Sequence, residues 1–142
     1  MKHLFLLVIA LLGCIRSNAQ TDKEASQYFS TPAIQFEEQT ITINNGAQPA
    51  LKVVITGNED HYGKHLKQWF EKSFGLEGKR GNGMIVLPGA VITAWSMDSL
   101  NVMYRIEKDA DKCALFLLAA KKNIYLNQKD HPAEINAIQQ SL

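Results

Sequence analysis

LNVMYRIEKDADKCALFLLAAKKNIYL, residues Leu100 to Leu126, is the stretch whose reading decides the fold. Val102, Tyr104 and Ile106 alternate with Asn101, Met103, Arg105 and Glu107, the period of two that marks a half-buried strand. A charged break, Lys108 to Lys112, follows. Cys113 to Ala120 is then apolar on both alternating sets, as in a strand covered on both faces. Lys121-Lys122-Asn123 makes a turn into Ile124-Tyr125-Leu126. The stretch predicts a three-stranded antiparallel meander in the middle of a sheet.

Upstream, Ile41 and Ile43 share one face of a strand over 40–44, and Leu51, Val53 and Ile55 share one face of another over 51–56. Asn45-Gly46 is the expected hairpin turn between them, because both residues tolerate positive φ. A helix is predicted over Glu59 to Phe74. Asn58 is its N-cap, Glu59 and Asp60 favour its dipole, and Gly75 ends it. Tyr62, Leu66, Trp69, Phe70 and Phe74 form its apolar stripe, with Trp69 expected to be buried against the sheet. Gly63 inside the helix costs about 1 kcal/mol relative to alanine. Met84 to Leu87 and Ala90 to Trp95 read as strands divided by Pro88-Gly89, a turn or bulge signal. Pro132 suits the first turn of a C-terminal helix with Ile135, Ile138 and Leu142 at helical spacing. The chain is therefore α+β: an antiparallel meander with one long helix, about 59–74, and a C-terminal helix, both packed on one face. Cystatin-like and ferredoxin-like arrangements both share this flavour, and the sequence does not choose between them.

Residues 1–19 read as a signal peptide. Lys2 and His3 precede an apolar run from Leu4 to Gly13 that is too short to span a bilayer as a helix. Ser17-Asn18-Ala19 puts small residues where a signal peptidase reads, so cleavage is expected between Ala19 and Gln20. Leu11-Leu12-Gly13-Cys14 offers a competing lipoprotein reading with lipid on Cys14. Residues 20–32 read as a polar tether and 33–142 as a single domain. The expected location is the periplasm or the medium, or the envelope by a lipid anchor, with membrane contact only if Cys14 is lipidated. Without residues 1–19, which hold Lys2 and Arg16, 13 basic residues face 14 acidic ones, a net charge of −1. Such a chain has no electrostatic footprint for nucleic acid.

The motifs that carry chemistry are few. His61 and His65 share a helical face at the spacing of a two-histidine metal site, with Glu59 or Asp60 as further donors. The His-Glu-x-x-His pattern is absent, and solvated histidines are the preferred reading. Glu107, Asp109 and Asp111 lack the glycine and the later glutamate of a calcium loop. Gly78-Lys79-Arg80-Gly81-Asn82-Gly83 follows a helix and precedes a strand, the reverse of a phosphate loop, and reads as a turn. Asp98 and Ser99 have no nucleophile elbow around them. Cys113, the one cysteine left after cleavage, reads as a small buried hydrophobe. No cofactor and no catalytic set is expected.

The layout resembles a group of exported proteins of Bacteroidetes-type Gram-negative bacteria. The resemblance rests on Ala19-Gln20, the Trp69-Phe70 helix, the 90–95 stretch, Asn101 to Asp109, and the apolar strand running to Tyr125-Leu126 before His131-Pro132. Ala119 to Asn123 stands where those proteins have a glycine-rich, aspartate-containing stretch. The resemblance implies an envelope location and no activity. The expected function is a non-enzymatic binding or interaction domain whose partner is an unknown protein or envelope component. The alternative is a small-ligand or metal carrier using the groove between helix and sheet.

Overall fold

The computed structural model describes residues 34–142. The signal segment with Cys14, Ala19 and Gln20, and the tether over 20–32, lie outside the described residues. Strand β1 (Phe36–Ile43) turns into β2 (Gly46–Thr56), and helix α1 (Glu59–Phe74) follows. Then come β3 (Lys79–Gly81), β4 (Met84–Ala90), β5 (Leu100–Asp109), β6 (Lys112–Lys121), β7 (Ile124–Tyr125) and helix α2 (Pro132–Ser141). The seven strands make one sheet in the order β1-β2-β6-β5-β4-β3, with β7 also on β6. Every pairing is antiparallel, and the order of two strands, a helix, five strands and a helix is not the β-α-β-β-α-β order of a ferredoxin-like fold.

The meander forms as its pattern requires. β6 pairs β5 from Cys113 through Ala120 and is buried over that whole run. Along β6 the side chains sort by parity. Leu115, Leu117 and Ala119 join the cluster that holds Phe70 of α1 and Ile135 and Ile138 of α2. Ala114, Phe116 and Leu118 join a second cluster with Ile41, Ile43, Ala50 and Met84. Both described helices therefore lie on one face, and the other face has an apolar surface of its own.

α1 begins and ends where its capping residues place it. Asn58 Oδ1 accepts from the Asp60 and His61 N–H groups at 2.8 and 3.4 Å. At the other end Gly75 adopts φ 65°, and Leu76 N–H donates to Phe70 O at 3.2 Å, which satisfies carbonyls the helix would otherwise orphan. Trp69 is not the buried anchor. Phe70 is 1% exposed and stacks on Tyr104 with ring centroids 5.6 Å apart, while Trp69 is half-buried at the margin. Neighbouring helical residues lie about 100° apart around the axis, so only one of the two can point straight at the sheet.

Three local expectations shift. The first hairpin turns on Asn44-Asn45, at φ 51° and 64°, and Gly46 already pairs with Ile43. Pro49 explains this. A turn on Asn45-Gly46 would put Pro49 opposite Thr42 in a hydrogen-bonded pair, where proline has no N–H to give. In the observed register Pro49 faces Thr40, a pair that exchanges no hydrogen bonds. Second, the glycine-rich loop holds a short strand, β3, and turns on Asn82-Gly83, at φ 52° and 74°. Third, residues 91–95 leave the sheet. Trp95 and Ser96 N–H groups both donate to Ile92 O, and Ile92 and Trp95 drop into the core as a buried turn.

Candidate functional site

The face opposite α1 and α2 has a depression. Its walls are Val86, Pro88, Asn101, Met103 and Ala120, with Lys122, Asn123 and Tyr125 at one end, and its volume is about 360 Å³. The sequence makes it in two places. Pro88-Gly89 breaks the β4–β5 register between Leu87 and Ala90, with Gly89 at φ 63°. Such a bulge bends a strand and re-aims its side chains. The Lys122-Asn123 turn, with Lys122 at φ 55°, lifts the opposite wall.

Asn101 ties the two walls together. Its Oδ1 accepts from Gly89 N–H at 3.0 Å, and its Nδ2 donates to Lys122 O at 3.4 Å. One amide thus holds both the bulge and the turn, which no pattern of apolar residues could reveal beforehand. Met103 and Tyr125 continue the lining into the apolar cluster of this face. Arg105 lies over the Phe116 ring at 5.3 Å, with Nε 2.8 Å from Glu107 Oε1. That ion pair lacks hydrogen-bond geometry, for Arg105 Nε is buried without a partner among the described residues. The face is apolar, with a cation within reach of an aromatic ring.

Between helix α1 and the sheet the described residues are tightly packed. Phe70, Trp95, Tyr104, Leu117 and Ile138 fill that space. Burial, with a smaller push from Glu71, raises the Tyr104 phenol above its usual pKa, so it stays protonated. Trp95 Nε1 and His131 Nδ1 are buried and without hydrogen-bond partners among the described residues. At the end of β6, Lys121 Nζ bridges Glu134 Oε1 at 2.7 Å and Asp98 Oδ2 at 3.1 Å. The hydrogen bonds Lys121 donates to Glu134 and Asp98 hold the lysine above its ordinary pKa, and the bond to Glu134 holds that carboxyl below its own.

The residues singled out from sequence are placed as follows. His61 and His65 are exposed on α1 with ring centroids 4.3 Å apart. Among the described residues no three His, Cys, Asp or Glu side chains come together as a metal would require. Cys113 is 0% exposed, and burial, then Glu59, pushes its thiol pKa up. That is the opposite of an activated nucleophile. Ser99 is exposed, and Asp98 is engaged by Lys121. No helix of the described residues is long and apolar enough to cross a membrane. The depression and its Asn101 staple went unnoticed in the sequence, although Pro88-Gly89 marked the bulge. Comparison with protein-family models, curated proteins and solved structures returns no match for this chain.

Proposed function

We propose that the protein is an exported envelope domain that acts by binding, and that it meets a protein or cell-wall partner through the face of its sheet opposite α1 and α2. The observation that carries this reading is the continuity of that face: the depression beside Asn101 opens directly onto the apolar side chains Met103 and Tyr125. Met103 and Tyr125 are half-buried, and apolar side chains beside a polar rim suit a recognition site. Here Lys122 and Asn123 supply the rim. The apolar signal segment supports export.

Photo-crosslinking in the producing cell tests the reading. A photoreactive residue at Lys122 or Asn123 should give adducts to one macromolecular species, while one at Lys64, exposed on α1, should not. Equal, scattered adducts from all three positions would remove this face as the contact.

The size of the depression favours a second reading, a small-ligand carrier. Its volume of about 360 Å³ falls at the low end of the ~300–1,000 Å³ typical of ligand pockets. Native mass spectrometry of protein purified from its host separates the two. A retained small molecule, lost when Met103 becomes glutamate, would put the carrier first.

A further inference from the structure

The first strand has a feature of its own. The two-residue Asn44-Asn45 turn makes Ile43 and Gly46 a hydrogen-bonded pair. Ladder bonds then recur at every second residue, so Ile41, Gln39 and Glu37 bond inward to β2. Phe36, Glu38, Thr40 and Thr42 aim their backbone N–H and C=O groups outward, and β1 ends the strand order. Among the described residues nothing pairs with that row.

Sheet edges are ordinarily blunted by brevity, lysine, proline or bulges. The opposite edge follows the rule: β3 has three residues, two of them Lys79 and Arg80. β1 is neither short, bulged nor broken by proline, and its charges, Glu37 and Glu38, both lie in its first half. It runs eight residues, FEEQTITI, in unbroken register with β2.

We propose that β1 is a dimerisation edge that pairs antiparallel with β1 of a second copy about a two-fold axis at Thr40. Such pairing sets outward-facing residues opposite one another: Thr40 against its own copy and Glu38 against Thr42. Gln39 then lies against Ile41 and Glu37 against Ile43. The strand's acids, Glu37 and Glu38, sit in one half only, so an antiparallel copy lays each acidic half on an uncharged one. Parallel pairing would stack like charges. A basic foreign strand has less to recognise here, because the Glu38 carboxylate already accepts from Gln128 N–H at 2.6 Å. The interface is isologous, as two-fold dimers require, and it joins the two sheets into one.

Light-scattering mass measured across a concentration series tests this on the purified protein. The wild type should rise from one chain mass to twice that value. Thr40→Pro deletes an outward N–H and leaves the β1–β2 ladder intact, since Thr40 faces Pro49 in a non-bonded pair. It should stay at one chain mass throughout. Thr40→Lys sets two like charges directly opposite across the axis and should do the same with no backbone constraint, so it decides the matter if the proline variant melts without cooperativity. A wild type that stays at one chain mass overturns the proposal, as does a doubled mass that survives Thr40→Lys.

Discussion

Gly63 stands inside α1, and a Cβ built there would meet nothing nearer than Ile106 Cδ1 at 3.9 Å. Nothing in the packing requires glycine at this position. Gly63→Ala should therefore stabilise the fold by about 1 kcal/mol, the helix-propensity difference, read as a higher urea midpoint. A loss of stability would mean the helix presses closer to β5 than the geometry indicates. Phe70 and Trp69 make a second comparison. Phe70→Ala should cost about 3–5 kcal/mol and Trp69→Ala distinctly less, because Phe70 is enclosed and Trp69 is half-buried. Equilibrium unfolding of the two variants would expose a rotated helix if their order were reversed. His61 and His65 give a third. With only two imidazoles together on an exposed face, micromolar zinc should barely move the melting temperature. A rise of several degrees, absent from the His61→Ala, His65→Ala double variant, would reveal a site that stabilises the folded state by mass action. At this scale the sequence showed an aromatic stripe but not its centre. Periodicity identifies a face, and which adjacent ring points inward depends on how the helix is rotated on the sheet.

The elements differ in how far local signals reach. α1 was legible to the residue, because Asn58 and Gly75 act within one turn of themselves. The first hairpin was legible in existence and two residues off in pairing, since its register was decided by Pro49 rather than by the Asn-Gly pair. The 91–95 stretch was misread because a strand and a buried turn both alternate apolar residues. Only the bulge at Pro88-Gly89 shows that the sheet is about to be left. α2 depends on a tertiary contact that no local signal contains: Lys121, from the end of β6, holds Glu134 in its first turn. Its pH dependence has a definite sign. Glu134 is held below its unfolded pKa, so its contribution is present above that unfolded value and fades as pH falls through the lowered one. Lys121 is held above its unfolded pKa, so its contribution is complete at neutral pH and disappears only under strong alkali. Thermal melts should thus show stability dropping on the acid side of the carboxylate range, with Glu134→Gln flattening that limb. Parallel acid limbs in both proteins would mean that this contact contributes nothing.

Across the whole molecule, stability should be graded by position in the sheet. β6 is paired on both sides and covered on both faces, whereas β1 and β3 are edges. Hydrogen exchange should find the slowest amides in Leu115 to Leu118, those that open only with global unfolding, and the fastest sheet amides in β3. Uniform protection would indicate one cooperative unit without graded edges. The α+β class and the one-sided placement of the helices were legible, because a meander and two amphipathic helices leave few ways to bury their apolar faces. The candidate site was not. It lies where a bulge and a turn meet one amide, which stands 12 residues from the first and 21 from the second.

Pro49 also governs the far side of its strand. Continuing the β2–β6 register past Leu51 and Leu117 would bring residue 49 to the carbonyl of Ala119. The proline cannot donate there, and Leu126 N–H takes that oxygen instead at 2.8 Å. One absent hydrogen atom settles a tenancy. A donor at 49 would compete with Leu126 for that carbonyl. Proline leaves the oxygen to the segment that leads on to α2.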